Sequence, residues 1–300
     1  MSTASSSTSQ FEQYRPNLFG IAYRMLGSVA EAEDVVQEAW LRWERANPDE
    51  VRSPRSFLNT VVTRLCLDHL KSARMQREQY FGTWLPEPVL RLEGLEEGPE
   101  KKLERLESIS VAFLMVLERL APMERVVFLL HDVFDYSHTE IAGIVGRSEP
   151  ACRQALSRAR RRVREGRPRV SAPDDDYRRI VDVFLRAIQG NDVEALVGVL
   201  AEDAVMYSDS GGKARAAVNP LHGRDTILRF WAGVRDKTVI TRAEGLWVNG
   251  SYGIAFWDEE HIHTLYTFDI EEGQAKRLYL QRNPDKLALL ERQLEAEEEA

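Results

Sequence analysis

The chain has 300 residues, 43% of them hydrophobic and 29% charged, with a formal net charge of -8. These values point to a soluble protein of two or three domains. No apolar run is long enough to span a bilayer, so a membrane partner is not expected, and residues 1–10 (MSTASSSTSQ) read as a disordered start rather than a signal peptide.

The charge is spread unevenly. Residues 11–80 are balanced, residues 171–300 carry fifteen basic against twenty-four acidic groups, and Arg147–Arg169 holds nine arginines against two acids. That local reversal of sign points to a polyanion partner, which the global balance alone would argue against. Cys66 and Cys152 are far apart and fall inside predicted helices, which suits a reducing cytoplasm better than a disulfide scaffold.

In chain order, Phe11, Tyr14, Leu18, Ile21, Ala22 and Met25 recur at helical spacing and Gly27 ends the pattern. Ser28 and Glu31 form a capping box for a second helix with Val35, Val36, Ala39, Trp40 and Trp43 on its inner stripe. Ser53-Pro54 opens a third, through Phe57, Val61, Leu65 and Leu70. Residues 78–107 read as a linker, because Pro86 and Pro88 each remove a donor and restrict the residue before them. Trp84 is an unusual linker residue and suggests docking. Ser137-His138-Thr139-Glu140 is another capping box, Gly146 the C-cap, and Ser148 caps a further helix with Ala151, Cys152, Ala155, Leu156, Ala159 and Val163 inside. Two short helices around a glycine turn, the second basic, match a helix-turn-helix.

Beyond Arg169 the pattern changes. A Pro- and Asp-rich connector leads to a helix with Ile180, Val183, Phe184, Ala187 and Ile188, and a shorter one through Leu196 and Leu200. Alternating segments follow (204–207, 239–248, 252–257, 261–268 and 277–281), separated by Gly211-Gly212, Asn249-Gly250 and Glu272-Gly273 turns. The expectation is an α+β domain with a curved antiparallel sheet on two or three helices.

Asp34-Val35-Val36-Gln37-Glu38, the Ser53–Asp68 helix and the helix-turn-helix at 137–163 together resemble a bacterial sigma factor of the extracytoplasmic-function type, over residues 11–165. The final third resembles a SnoaL-like cone, carried by one subgroup of these factors. Trp84-Leu85-Pro86-Glu87-Pro88, Asp209-Ser210-Gly211-Gly212-Lys213 and Asn283-Pro284-Asp285-Lys286-Leu287 point to that subgroup, which more often has Gly where Ser210 stands. The resemblance implies a multidomain protein: region two over 11–77, a linker over 78–107, region four over 108–166, a regulatory SnoaL-like domain over 174–287 and an acidic tail over 288–300. It implies promoter-directed initiation with core RNA polymerase and promoter DNA as partners, no cofactor or metal, and no chemistry of its own.

The implied roles follow position by position. Asp34, Gln37 and Glu38 would meet the coiled coil of the polymerase's largest subunit, with a second polymerase contact at the flap; a solvated helix face is the plain alternative. Asn59, Thr63, Arg64 and Asp68 would capture the −10 element, with Arg74 and Arg77 on phosphates, although Arg64 and Asp68 could equally form a surface i,i+4 pair. Ser148, Glu149, Pro150, Arg153, Gln154, Ser157 and Arg158 lie where recognition helices touch −35 bases, with Arg153 suited to guanine and Gln154 to adenine. Arg160, Arg161, Arg162 and Arg164 suit phosphates. Trp84, Pro86, Pro88, Asp209, Gly211, Gly212, Lys213, Asn283, Pro284, Asp285 and Lys286 would make an intramolecular regulatory contact. The Glu-rich tail could screen the arginines or be a solvated helix. Asp209, His222, His261 and His263 are the residues available for acid–base work, and surface or satisfied core histidines are the plainer reading. A ligand-responsive DNA-binding regulator, or an enzyme fused to a DNA-binding module, remain alternatives.

Overall fold

The computed structural model describes residues 2–46, 51, 53–78, 80–90, 108–166, 172–190, 192–235, 240–259 and 261–298, with the side chains of 2–7, 72–78, 188, 189, 193, 235, 297 and 298 outside the description. The chain divides into two compact units. One comprises residues 1–78, 92–109 and 113–167; the other comprises 79–91, 110–112 and 168–300.

The first unit is helical. Helix α1 (Ser2–Leu26) and α2 (Val29–Arg45) pack against each other and against α3 (Pro54–Glu78). Residues 2–10 extend α1 rather than forming the expected disordered start. Adding residues to an existing helix costs far less than nucleating one. Ser28 caps α2 by accepting from the Glu31 amide at 3.2 Å. The inner stripe of α2 is Ala32, Val35, Val36, Ala39 and Trp43; Trp40 is half-buried, its ring edge-on to Phe11.

Helix α3 departs from its sequence reading. Its fully buried row is Leu58, Val62, Cys66 and Leu70, while Phe57, Val61 and Leu65 are only partly covered. Asn59 and Thr63 are also buried, so α3 is covered on two faces, and a single-stripe reading cannot register that. The second cover comes from α5 (Pro122–Phe128) and α6 (His138–Val145), with α4 (Val111–Glu118) preceding them and a π-helical turn, Leu129–Val133, between them. Ser137 and Glu140 form the reciprocal capping box, and Gly146 ends α6 at φ 66°, a left-handed conformation that favours glycine. Helix α7 (Glu149–Gly166) buries Cys152, Ala155, Leu156, Ala159 and Val163. Ala151, expected inside, is exposed, because it lies at the solvent edge of the first turn.

The second unit is α+β. Helix α8 (Asp174–Gln189) and a 3-10 turn, Val193–Gly198, lead to β1 (Leu200–Asp209), β2 (Leu221–His222) and α9 (Arg224–Arg235). The meander β3 (Arg242–Val248), β4 (Ser251–Asp258), β5 (His261–Glu271) and β6 (Gln274–Gln281) follows, and then α10 (Pro284–Glu298). The strand order is β2-β1-β6-β5-β4-β3. The sheet is mixed rather than purely antiparallel, since β1 pairs with β6 in parallel. Local alternation marks strands but carries no information about the direction of a partner seventy residues away.

One face of the sheet packs on α8 and α9 through Ile180, Phe184, Trp231, Phe256, Phe268 and neighbours. The other carries Val248, Ala255, Trp257, Ile262 and Leu265 against Leu287 and Leu290 of α10. Residues 288–298 therefore belong to a packed helix, not to a separate acidic tail. Leu290 is fully buried, and Glu291 accepts from the Ile262 amide. A Cβ at Gly253 would overlap the Tyr266 carbonyl oxygen on the neighbouring strand. Gly253→Ala should lower unfolding free energy by about 1–3 kcal/mol, read from the urea midpoint at unchanged slope.

Candidate functional site

On α2, Asp34 and Gln37 are exposed and Glu38 is half-buried, on the side opposite the apolar stripe. Glu38 accepts from Arg42 at 3.0 Å, an exposed i,i+4 pair worth about 0.3–0.5 kcal/mol. The face is open to a partner.

The −10 candidates on α3 are not. Asn59 is 1% exposed and Thr63 fully buried. The Asn59 amide donates to the Tyr136 hydroxyl and its oxygen accepts from Asn17 at 3.3 Å. Arg64 donates to the Ile144 carbonyl at 3.1 Å, satisfying an acceptor in the last turn of α6. Asp68 pairs with Lys71 at 2.7 Å in solvent, rather than with Arg64. The side chains of Arg74 and Arg77 lie outside the described residues. The helix-turn-helix half thus rests on the face expected to open DNA. Arg125 adds to this closure from α5. It is 4% exposed and donates to Leu117 O at 2.8 Å, Glu118 at 3.2 Å and Met25 O at 2.6 Å, the last near the end of α1. Arg24 donates to Ser108 at 2.9 Å. Tyr136 and Arg125 were absent from the expected site, because no local pattern marks a residue that acts on a helix sixty or more positions earlier.

The arginines of α7 fall into two groups. Arg158 donates at 2.8 Å to Glu124, a buried carboxylate on α5 that Arg162 also engages. Arg160 donates to Asp132 at 2.6 and 2.9 Å. Burial pushes the Asp132 carboxyl up, but hydrogen bonds from Arg160 and His131 outweigh it and hold the group below its ordinary range. These three arginines hold the helix-turn-helix together, so Arg158 and Arg160 are not spare for DNA in this arrangement. Arg153, Gln154, Ser157 and Arg161 are exposed, with Arg153 on Glu149 at 2.9 Å. Glu149 also accepts from Thr139 at 2.8 Å. Ser148 accepts from the Ala151 amide at 3.4 Å as N-cap, and Pro150 is exposed in the first turn.

In the second unit the linker residues and the two loop motifs converge. Residues 83–89 lie outside helix and strand, with Leu85, Pro86, Glu87, Pro88 and Val89 buried. Alternating prolines suit this role, since a strip without amide donors at 86 and 88 has fewer groups to satisfy on burial. Asp209 is fully buried and accepts from four donors: Tyr80 Oη at 2.6 Å, Leu85 N at 2.9 Å, Lys286 Nζ at 2.8 Å and Gly211 N at 3.0 Å. Lys286 donates also to Leu85 O at 2.6 Å and lies 4.4 Å from the Trp84 ring centroid and 5.4 Å from that of Tyr80. The buried charge pair is therefore fully hydrogen-bonded and boxed by aromatic faces.

Asn283 donates to Tyr80 Oη at 2.9 Å, and its own oxygen accepts from the Asp285 amide at 3.1 Å behind Pro284. Gly211 and Gly212 have φ 57° and 73°, and a Cβ at Gly211 would strike Asn283. Ser210 accepts from the Gly212 amide at 3.3 Å. Lys213 pairs with Asp285 in solvent. Further along, Val89 exchanges both backbone groups with Asn249, at 3.2 and 2.8 Å, and Leu90 N donates to Gln293 at 3.0 Å. Tyr80, Asn249 and Gln293 were missed as clamp residues. Only the Asn-Gly turn signal touched one of them.

The histidines do not form a shared catalytic group. A bulge between Phe256 and Trp257 on the β4–β5 ladder breaks the alternation, so His261 faces Glu291 on α10 at 3.4 Å while His263 lines a cavity under α8 and α9. His222 is exposed on β2. Asp209 lies at the linker clamp, with its lone pairs occupied.

The family model "Sigma-70 region 2" matches residues 10–76, and "Sigma-70, region 4" matches 110–163. The Mycobacterium tuberculosis H37Rv ECF RNA polymerase sigma factor SigJ is 44% identical over 229 residues, 75% of this chain and 72% of that protein. The probable ECF sigma factor SigI of the same organism is 31% identical over 283 residues, 94% of each chain. The crystal structure of M. tuberculosis SigJ superposes with TM-score 0.72 and 34% identity, covering 94% of this chain and 98% of that one. This chain belongs to the extracytoplasmic-function RNA polymerase sigma factors, in the subgroup that carries an α+β SnoaL-like domain after region four.

Proposed function

We propose that this sigma factor reads promoters at two points and that its C-terminal unit governs how freely the two readers separate. Asp34, Gln37 and Glu38 dock on the coiled coil of the polymerase's largest subunit, and region four meets the flap. Asn59, Thr63, Arg64, Asp68 and Arg74 take the −10 element once α6 and Tyr136 leave α3. Ser148, Glu149, Pro150, Arg153, Gln154 and Ser157 face −35 bases, while Arg161 holds phosphate. Arg158 and Arg160 reach DNA only by leaving Glu124 and Asp132. The factor works in the cytoplasm with polymerase, uses no cofactor and performs no chemistry of its own. The observation that carries the regulatory half is the Asp209–Lys286 clamp on the segment joining the two sigma regions.

Purified core polymerase on randomised promoter templates tests the reading. Specific start sites should appear only when the protein is added. Duplex binding without any such start sites would favour a stand-alone regulator instead. Within region four, Arg161→Ala should weaken all promoters alike and lower the log–log salt slope by about 1. Gln154→Ala should instead cost about 1–3 kcal/mol on the preferred base only and relax choice there. Equal effects on every template from both variants would sink the division between base reading and phosphate grip.

A further inference from the structure

The sheet and helices α8 and α9 form a partly open cavity of about 130 Å³, walled by Phe184, Phe230, Trp231 and Phe256. Its lining also carries four polar residues, Arg282, His263, Thr264 and Tyr266. Arg282 spends one terminal nitrogen on the Arg215 carbonyl at 2.6 Å and the other on His263 Nε2. Its Nε is buried with no hydrogen-bond partner, and no carboxylate lies within ion-pair distance of it among the described residues. Desolvation accordingly lowers the Arg282 pKa from its ordinary value, and burial likewise drives His263 down to about 4, so the imidazole is neutral at physiological pH. The Tyr266 hydroxyl accepts from Trp231 Nε1 at 3.0 Å, which leaves its own proton available to an acceptor.

Arg282 is half-buried, but a guanidinium with a dry, unpaired Nε on a cavity wall and no counter-charge beside it is costly, and proteins normally compensate such a group with an anion. The wall chemistry demands an apolar body on that anion. The size decides the body: a dry cavity of about 150 Å³ accommodates one benzene ring, so this one takes a single ring or a chain of similar bulk. We propose that the cavity is a binding site for a small apolar carboxylate, such as an arylalkanoic acid, whose carboxylate pairs with Arg282 and accepts from Tyr266 while its ring packs on the aromatic wall. The same Arg282 donates its backbone amide to Asp209 O at 2.6 Å and directly precedes Asn283. The anion-binding group and the linker clamp are therefore contiguous in the chain.

The test is calorimetric titration of the full-length chain at pH 7.5 with 3-phenylpropionate and, separately, 3-phenylpropan-1-ol. The acid should bind at least tenfold more tightly than the alcohol. Arg282→Met should reduce that ratio to about one with the alcohol affinity unchanged, and Arg282→Lys, which keeps the charge, should retain a preference for the acid. Equal affinities in the native protein, no saturable binding of either compound, or a tenfold preference surviving in Arg282→Met would each overturn the proposal. The native-protein comparison decides the matter even if Arg282→Met fails to fold.

Discussion

Asp209→Ala should release the linker from the C-terminal unit and destabilise that unit by about 3–5 kcal/mol, the usual cost of leaving one partner of a buried pair uncompensated. The variant removes the acceptor of Tyr80, Leu85, Gly211 and Lys286 together and strands the Lys286 ammonium between two aromatic rings. Amide exchange at Leu85 and Val89 should accelerate well beyond that at Leu278, deep in β6. Pairing Asp209→Asn with Lys286→Met should recover part of the loss, because a neutral pair leaves no buried charge behind. A cycle showing no coupling between the two positions would mean the contact is incidental. Freeing residues 80–90 should also weaken the closure of region four on α3, so transcription at limiting sigma factor should rise.

Tyr136→Phe should have the larger effect on activity and a smaller one on stability. In the closed form it leaves the Asn59 amide buried and without the hydroxyl acceptor, a penalty of about 1–3 kcal/mol. In the opened form Asn59 meets water and pays nothing. Each 1.4 kcal/mol is tenfold in an equilibrium, so the closed-to-open ratio should fall by about fivefold or more. Promoter-dependent transcription at limiting protein should rise accordingly, and fluorescence transfer between labels on α2 and α7 should report a longer mean separation. Increased separation with unchanged transcription would show that closure does not limit initiation.

Much of this molecule was legible because its signals are local. The N-cap at Ser28, the capping box at Ser137, the left-handed Gly146 and the apolar row of α7 are encoded within four residues of where they act. The two loop motifs and the proline-flanked tryptophan could be read as belonging together, yet the reason lay beyond the sequence. Asp209, Lys286 and Tyr80 meet only because β1 and β6 run side by side in parallel, which brings their C-terminal ends to one edge. The bulge that sends His261 and His263 to different environments was equally unreadable, since alternation assumes an unbroken ladder.

The sequence by itself determined the helical modules, the basic second helix of the helix-turn-helix and the residue types at each interface, because caps, periodicity and charge runs are properties of short windows. Tertiary structure alone decided which of those residues are available. Asn59 and Thr63 carry the right chemistry for reading a base, but region four covers them. Arg158, Arg160 and Arg162 carry the right charge for DNA, but Glu124 and Asp132 hold them. Availability depends on groups tens of residues distant competing for the same donors and acceptors, and that competition is settled only when the chain is folded.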